Sequence, residues 1–121
     1  MHNGDIKELS IRPEAFSHLN RGHRWFAFYT GKDVSGYFAI GKVSDHQASI
    51  HLNWCRFNAR SFKNALCLFD SYLVPELKKM GMTSVIATKT YNSRASEAWV
   101  KLVKRFGFPE PSVVLVSERK I

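Results

Sequence analysis

Between Cys55 and Ser61 the chain reads Cys-Arg-Phe-Asn-Ala-Arg-Ser. Two arginines and a hydroxyl stand there between a stretch of alternating hydrophobicity and a stretch of helical period. A basic turn at the junction of a strand end and a helix start gathers unpaired backbone N–H groups, the positive end of a helix dipole and cationic side chains at one point. That combination suits a phosphate. Arg56 and Arg60 are the candidate charge donors, Ser61 a hydroxyl contact, and the backbone around Asn58, Ala59 and Phe62 the amide donors. No competing chemistry is written in the sequence. Cys55 and Cys67 lack metal-ligand spacing and read as reduced thiols of an intracellular, cytoplasmic protein. Gly-x-Ser-x-Gly, Walker and dinucleotide-binding glycine patterns are absent.

The elements that would position this turn follow from hydrophobic period. Before it, Gln47–Trp54 alternates, with Ile50, Leu52 and Trp54 on one face and Ser49, His51 and Asn53 on the other. After it, Phe62, Ala65, Leu66, Phe69, Leu73, Leu77 and Met80 recur at three and four, predicting an amphipathic helix that Pro75 kinks and Gly81 stops. Ser84–Thr88 is a short apolar strand. Strand, helix and strand at this spacing predict a right-handed crossover, with Gln47–Trp54 and Ser84–Thr88 parallel and parting at their C-terminal ends.

Upstream, residues 1–22 read as a polar arm and a small helix opening at Pro13 and ended by Gly22, with Ala15, Phe16 and Leu19 inward. Arg24–Thr30 and Gly36–Val43 are two further strands, so that residues 24–54 form an antiparallel meander. Downstream, Asn92 or Ser93 caps a second helix that ends at Gly107, and Ser112–Ser117 makes a closing strand. The 121 residues fit one α+β domain with a mixed sheet. No apolar run reaches the length of a membrane span.

Charge sharpens the expectation of an anionic partner. The formal net charge is +8. Between Trp54 and Gly107, ten basic residues (Arg56, Arg60, Lys63, Lys78, Lys79, Lys89, Arg94, Lys101, Lys104, Arg105) face three acids (Asp70, Glu76, Glu97), which places seven of the eight excess charges there. A phosphorylated cofactor, a nucleic acid or an acidic protein surface would each answer that excess.

The turn Arg56-Phe57-Asn58-Ala59-Arg60-Ser61 resembles the pyrophosphate loop of the Gcn5-related N-acetyltransferase (GNAT) family, with both small positions altered. Asn92-Ser93-Arg94-Ala95, followed by Gly107-Phe108, is similar to the family's Asn-x-x-Ala helix ending in Gly-Phe. The order of elements from Trp25 to Val116 also matches, in the compact form with eroded motifs that phage-encoded members show. The resemblance implies a GNAT-like mixed sheet and an acyl-CoA-dependent N-acyltransferase that moves acetyl from acetyl-CoA to an amine. It implies a cofactor site of Trp54, Cys55, Arg56, Asn58, Ala59, Arg60, Ser61, Phe62 and Asn92. A backbone N–H near Trp54 or Cys55 would polarise the thioester carbonyl, His51 would be the base and Tyr91 the acid. Three departures stand out: a short N-terminal segment, Ala59 in place of a loop glycine, and Val103 where many members carry the tyrosine that protonates the thiolate. They point to the alternative of a catalytically inactive GNAT-like domain binding nucleic acid or a protein through its basic face.

Overall fold

The computed structural model describes residues 6–88, 101–108 and 116–121. Among them the chain forms a six-stranded mixed sheet in the order β1 (Ile6–Leu9), β2 (Arg24–Thr30), β3 (Asp33–Lys42), β4 (Gln47–Trp54), β5 (Ser84–Thr88) and β6 (Val116–Lys120). Every neighbouring pair is antiparallel except β4 and β5, which run parallel from Gln47↔Ser84 to Ile50↔Ala87. The crossover between these two strands contains α1 (Ala59–Leu68), a π-helical stretch (Phe69–Leu73) and α2 (Val74–Lys79). Pro75 has no N–H to give the preceding turn, and the chain widens just before it, where Val74 N–H reaches back to Phe69 C=O.

The alternation of each strand sorts residues onto two faces. Phe26, Phe28, Phe38, Ile40, Ala48, Ile50, Val85 and Ala87 pack under the crossover, against Ala65, Leu68, Phe69, Leu73 and Leu77. The opposite face carries a smaller cluster of Phe16, Trp25 and Ala39, flanked by Leu9, Leu19 and Tyr37. It is covered by the segment joining β1 to β2. The strong apolar period of the crossover places the main core on the first face.

Several expectations are corrected. The polar arm contains a strand, β1, which pairs with the aromatic β2 through Leu9↔Trp25. The helix expected from Pro13 towards Gly22 is one 3-10 turn, Glu14–Phe16. The crossover helix begins at Ala59, so residues 59–61 of the expected 55–61 loop are its first turn. Asn58 sets that start through a reciprocal cap: its Oδ1 accepts Ser61 N–H at 2.8 Å, and its own N–H donates to Ser61 Oγ at 2.9 Å. The Asn92-capped start of the second helix lies outside the described residues. Residues 101–105 are helical, and Gly107 follows at φ +87°, as a helix-ending glycine should. The closing strand runs over Val116–Lys120, further along than Ser112–Ser117, of which 112–115 lie outside the described residues.

Candidate functional site: the parting of two strands

The register of β4 shows what it offers. Val43 N–H donates to Gln47 C=O and Cys55 N–H donates to Ser35 C=O, so the odd residues of β4 turn their backbone groups towards β3. The even residues turn theirs towards β5. Ala48 and Ile50 meet β5 there, and Ile50↔Ala87 is the last described rung. Leu52 and Trp54 present their N–H and C=O groups on the same side, beyond that rung.

A cavity of about 300 Å³ opens at this place. It is lined from the first face by Phe38, Ile50, Leu52 and Phe69, and by Leu102, Val103 and Phe106 around the helical residues 101–105. His51 and Asn53 line it from the second face, with Phe16 and His18 of the β1–β2 segment. It is therefore lined from both faces of the sheet, beyond the last described rung of β4 and β5. Its walls are mostly aromatic and aliphatic, and its polar groups lie at the second-face end.

His51 sits at that end. Its ring is half-buried, lies edge-on to His23 at 5.6 Å between centroids, and among the described residues makes no hydrogen bond. Burial, reinforced by the nearby His23 and His18, lowers its pKa to about 4. The imidazole is thus neutral at ordinary pH and keeps a lone pair for an N–H donor. His23 lies flat over Gly41, where a Cβ would come within 2.6 Å of the ring, stacks on Trp25 and contacts Asn20 O at 3.0 Å.

At the end of β4 the turn is held by one residue that sequence reasoning missed. Ser35 C=O accepts from both Cys55 N–H (2.9 Å) and Arg56 N–H (3.1 Å). Ser35 Oγ contacts Thr30 Oγ1 at 2.6 Å, and Thr30 Oγ1 accepts from Asn64 Nδ2 at 3.0 Å. This network ties the turn and α1 to the sheet. It also removes the Cys55 amide from the groups that could polarise a carbonyl and, among the described residues, leaves Trp54 N–H as the free one of the two expected donors. The Cys55 thiol is exposed and lies against the Tyr37 hydroxyl, whose pKa is raised by burial and then by that thiol.

Of the expected phosphate contacts, Arg56 is exposed and pairs with Asp33 at 3.3 Å. Arg60 is exposed on the first turn of α1. Ser61 is buried and spent, together with its N–H, on the Asn58 cap. Phe62 N–H closes the first helical hydrogen bond, to Asn58 C=O at 2.9 Å. The donors left at the helix start are Ala59 N–H and Arg60 N–H. Ala59 is the first residue of α1 and needs no positive φ, so an alanine in place of a loop glycine brings no backbone strain there. Trp54 and the 64%-exposed Phe57 stand edge-to-face at 5.0 Å beside this helix start. Arg105 lies over the Phe62 ring at 5.1 Å and adds a cation. Tyr91 and Asn92 lie outside the described residues. Val103 lines the cavity itself, so an aliphatic group stands where the resemblance would place an acid. His18 and Asn53 were not singled out from sequence. Asn53 shares the His51 face and was findable by alternation, whereas nothing local marked His18.

No protein-family model matches the sequence, and no curated protein matches it. Solved structures do. A GNAT family acetyltransferase from Elizabethkingia anophelis with acetyl-CoA bound superposes with a TM-score of 0.69 at 11% identity, covering 98% of this chain and 99% of that one. The N-acetyltransferase PseH of Campylobacter jejuni gives 0.66 at 8% identity, covering 98% of each chain. Ard1 from Thermoplasma volcanium gives 0.62 at 18% identity, also covering 98% of each. The chain has the GNAT-like α+β fold. At these identities the likeness concerns the fold alone.

Proposed function

We propose that the chain is an acyl-CoA-dependent N-acyltransferase that moves acetyl from acetyl-CoA to an amine. The observation that carries the reading is the cavity beside the second half of β4, lined by neutral His51 at its polar end, with the cationic turn and the start of α1 following directly on that strand. Support comes from the solved structures of the same fold, two of whose kind, PseH and the Elizabethkingia acetyltransferase, hold acetyl-CoA.

The donor set fits such a molecule. Ala59 N–H, Arg60 N–H and the side chains of Arg56 and Arg60 suit a pyrophosphate. Leu52 and Trp54 can extend the sheet's hydrogen bonding to an amide-bearing arm, as an added strand would. Bound acetyl-CoA supplies the activated acyl group as a thioester. Trp54 N–H is placed to donate to a carbonyl oxygen that gains charge. Neutral His51 accepts a hydrogen bond from the acceptor amine and orients it. With a pKa of about 4 it does not retain the proton, which leaves through the polar second-face end. The apolar wall of Phe38, Leu52, Val103 and Phe106 keeps water from the acyl carbon. Tyr91 is the proposed proton donor to the departing sulfur, since Val103 cannot serve.

Calorimetric titration with acetyl-CoA tests this. Saturable binding is expected, and Arg56→Ala should weaken it by about 1.5 kcal/mol, the lower part of the range for a hydrogen bond to a charged group, because Arg56 must leave Asp33. Absence of binding, together with salt-dependent binding of duplex DNA, would overturn the reading in favour of a module acting through its basic face.

A further inference from the structure

Beside the second-face end of the cavity lies a separate groove of about 400 Å³, lined by Ser10, Ile11, Arg12, Arg21 and Trp25. Its floor is the Trp25 indole, and its two cations rise from the segment that covers this face. The groove and the cavity share one aromatic wall: Phe16, which lines the cavity, stacks on Trp25 at 6.0 Å between centroids and 22° between planes.

On the helical face Arg24 is held by Glu8 (2.7 Å) and Glu76 (3.0 Å), and Arg119 by Asp70 (3.0 Å). Among the described residues no carboxylate pairs with Arg12 or Arg21, and the segment's own acid, Glu14, pairs with neither. Arg12 is positioned by one bond, Nη1 to Leu19 C=O at 2.8 Å, which leaves the rest of its planar fork available. Arg21 is exposed. Two guanidinium groups lining one groove with an indole and a serine match a planar or tetrahedral oxyanion carried on an apolar body. The exposed Ile11 extends the apolar rim.

We propose that this groove is a subsite for an anionic group of the amine acceptor, so that the acceptor is an amine bearing a phosphate or a carboxylate. The proposal rests on the acyltransferase reading for the word acceptor, but the anion site is testable without it. The amine would enter the cavity at His18 and His51 while the oxyanion rests on Arg12 and Arg21 across the Phe16–Trp25 wall. A polycationic acceptor is disfavoured, because Arg12, Arg21 and Lys7 share this face.

The test titrates inorganic phosphate and sodium acetate into separate samples of the full chain. The readout is the Trp25 indole N–H resonance, distinguished from those of Trp54 and Trp99 by its loss in Trp25→Phe. One of the two anions should shift it saturably, and which one does so tells a phosphate-bearing acceptor from a carboxylate-bearing one. Arg21→Ala, at an exposed position, should weaken that binding roughly tenfold, as should Arg12→Lys, which keeps the charge but loses the fork. Arg56→Ala should leave it unchanged. No saturable shift with either anion, or a shift abolished by Arg56→Ala and kept in Arg21→Ala, overturns the subsite. A chain that binds acetyl-CoA yet fails here loses the subsite and keeps the acyltransferase reading. One that passes here but does not bind acetyl-CoA does the reverse.

Discussion

The two halves of β4 carry the same alternation and meet different fates. Gln47–Ile50 lies between two strands, and its inward residues Ala48 and Ile50 are buried. Leu52 and Trp54 continue the same face, against Phe38 and Gly36 of β3, yet both stay partly exposed. The difference arises from the neighbour on the other side. Among the described residues the β4–β5 ladder has four rungs, and the backbone groups of Leu52 and Trp54 beyond the last of them are the edge that the proposed function assigns to a ligand.

The largest effect should come from truncating the two halves in parallel. Ile50→Ala removes a buried side chain beside the Ala87 rung and should cost about 2–4 kcal/mol, whereas Leu52→Ala should cost no more than about 1.5 kcal/mol, because its site is already open. Chemical denaturation of both variants checks this. Equal losses would mean that the halves are packed alike.

A smaller effect concerns the polar end of the cavity. His51 has a pKa of about 4 in the folded chain against an ordinary value of 6.5. As pH falls from about 6.5 through about 4, the unfolded chain takes up a proton that the folded chain refuses, so stability falls across that window. After allowance for screening at its exposed edge, the loss attributable to His51 is about 1–2 kcal/mol. His51→Asn should flatten that part of the profile, measured by urea unfolding at about pH 7 and about pH 4.5. An unchanged profile would show that the ring is not desolvated.

The smallest effect is at the helix start. Ala59→Gly should lower stability by roughly 0.5–1 kcal/mol, the helix-interior cost of glycine, and leave acetyl-CoA affinity unchanged, because Ala59 is already helical. Thermal melting and calorimetry on the variant beside the parent would show it. Tighter binding in Ala59→Gly would mean that the methyl group does hold the ligand away.

Much of this was legible in the sequence where period is strong. β2, β4 and β5 stand where alternation or an apolar run put them, and the parallel crossover followed from their spacing. The arm was not. β1 has the sequence Ile-Lys-Glu-Leu, too short and polar to declare itself, and it exists because β2 offers an aromatic edge. The early helix start was half visible: Asn58 is a good cap, but its reciprocal partner is Ser61 in place of the usual Glu or Gln. Ser35, which fixes the turn, acts chiefly through its carbonyl, and no sequence pattern announces a carbonyl that will accept two hydrogen bonds. Arg56 and Arg60 were singled out from charge and spacing. The Asp33 that competes for Arg56 becomes a neighbour only when β3 folds beside β4.

Hydrogen exchange at single-residue resolution along β4, with and without acetyl-CoA, tests the central claim most directly. Ala48 and Ile50 amides face β5 in the free chain and should exchange slowly in both samples. Leu52 and Trp54 amides should exchange faster in the free chain and become about tenfold or more protected when acetyl-CoA is bound, as amides recruited into a ladder do. Protection confined to the start of α1, with Leu52 and Trp54 unchanged, would contradict the claim that the ligand completes the sheet where β5 leaves it.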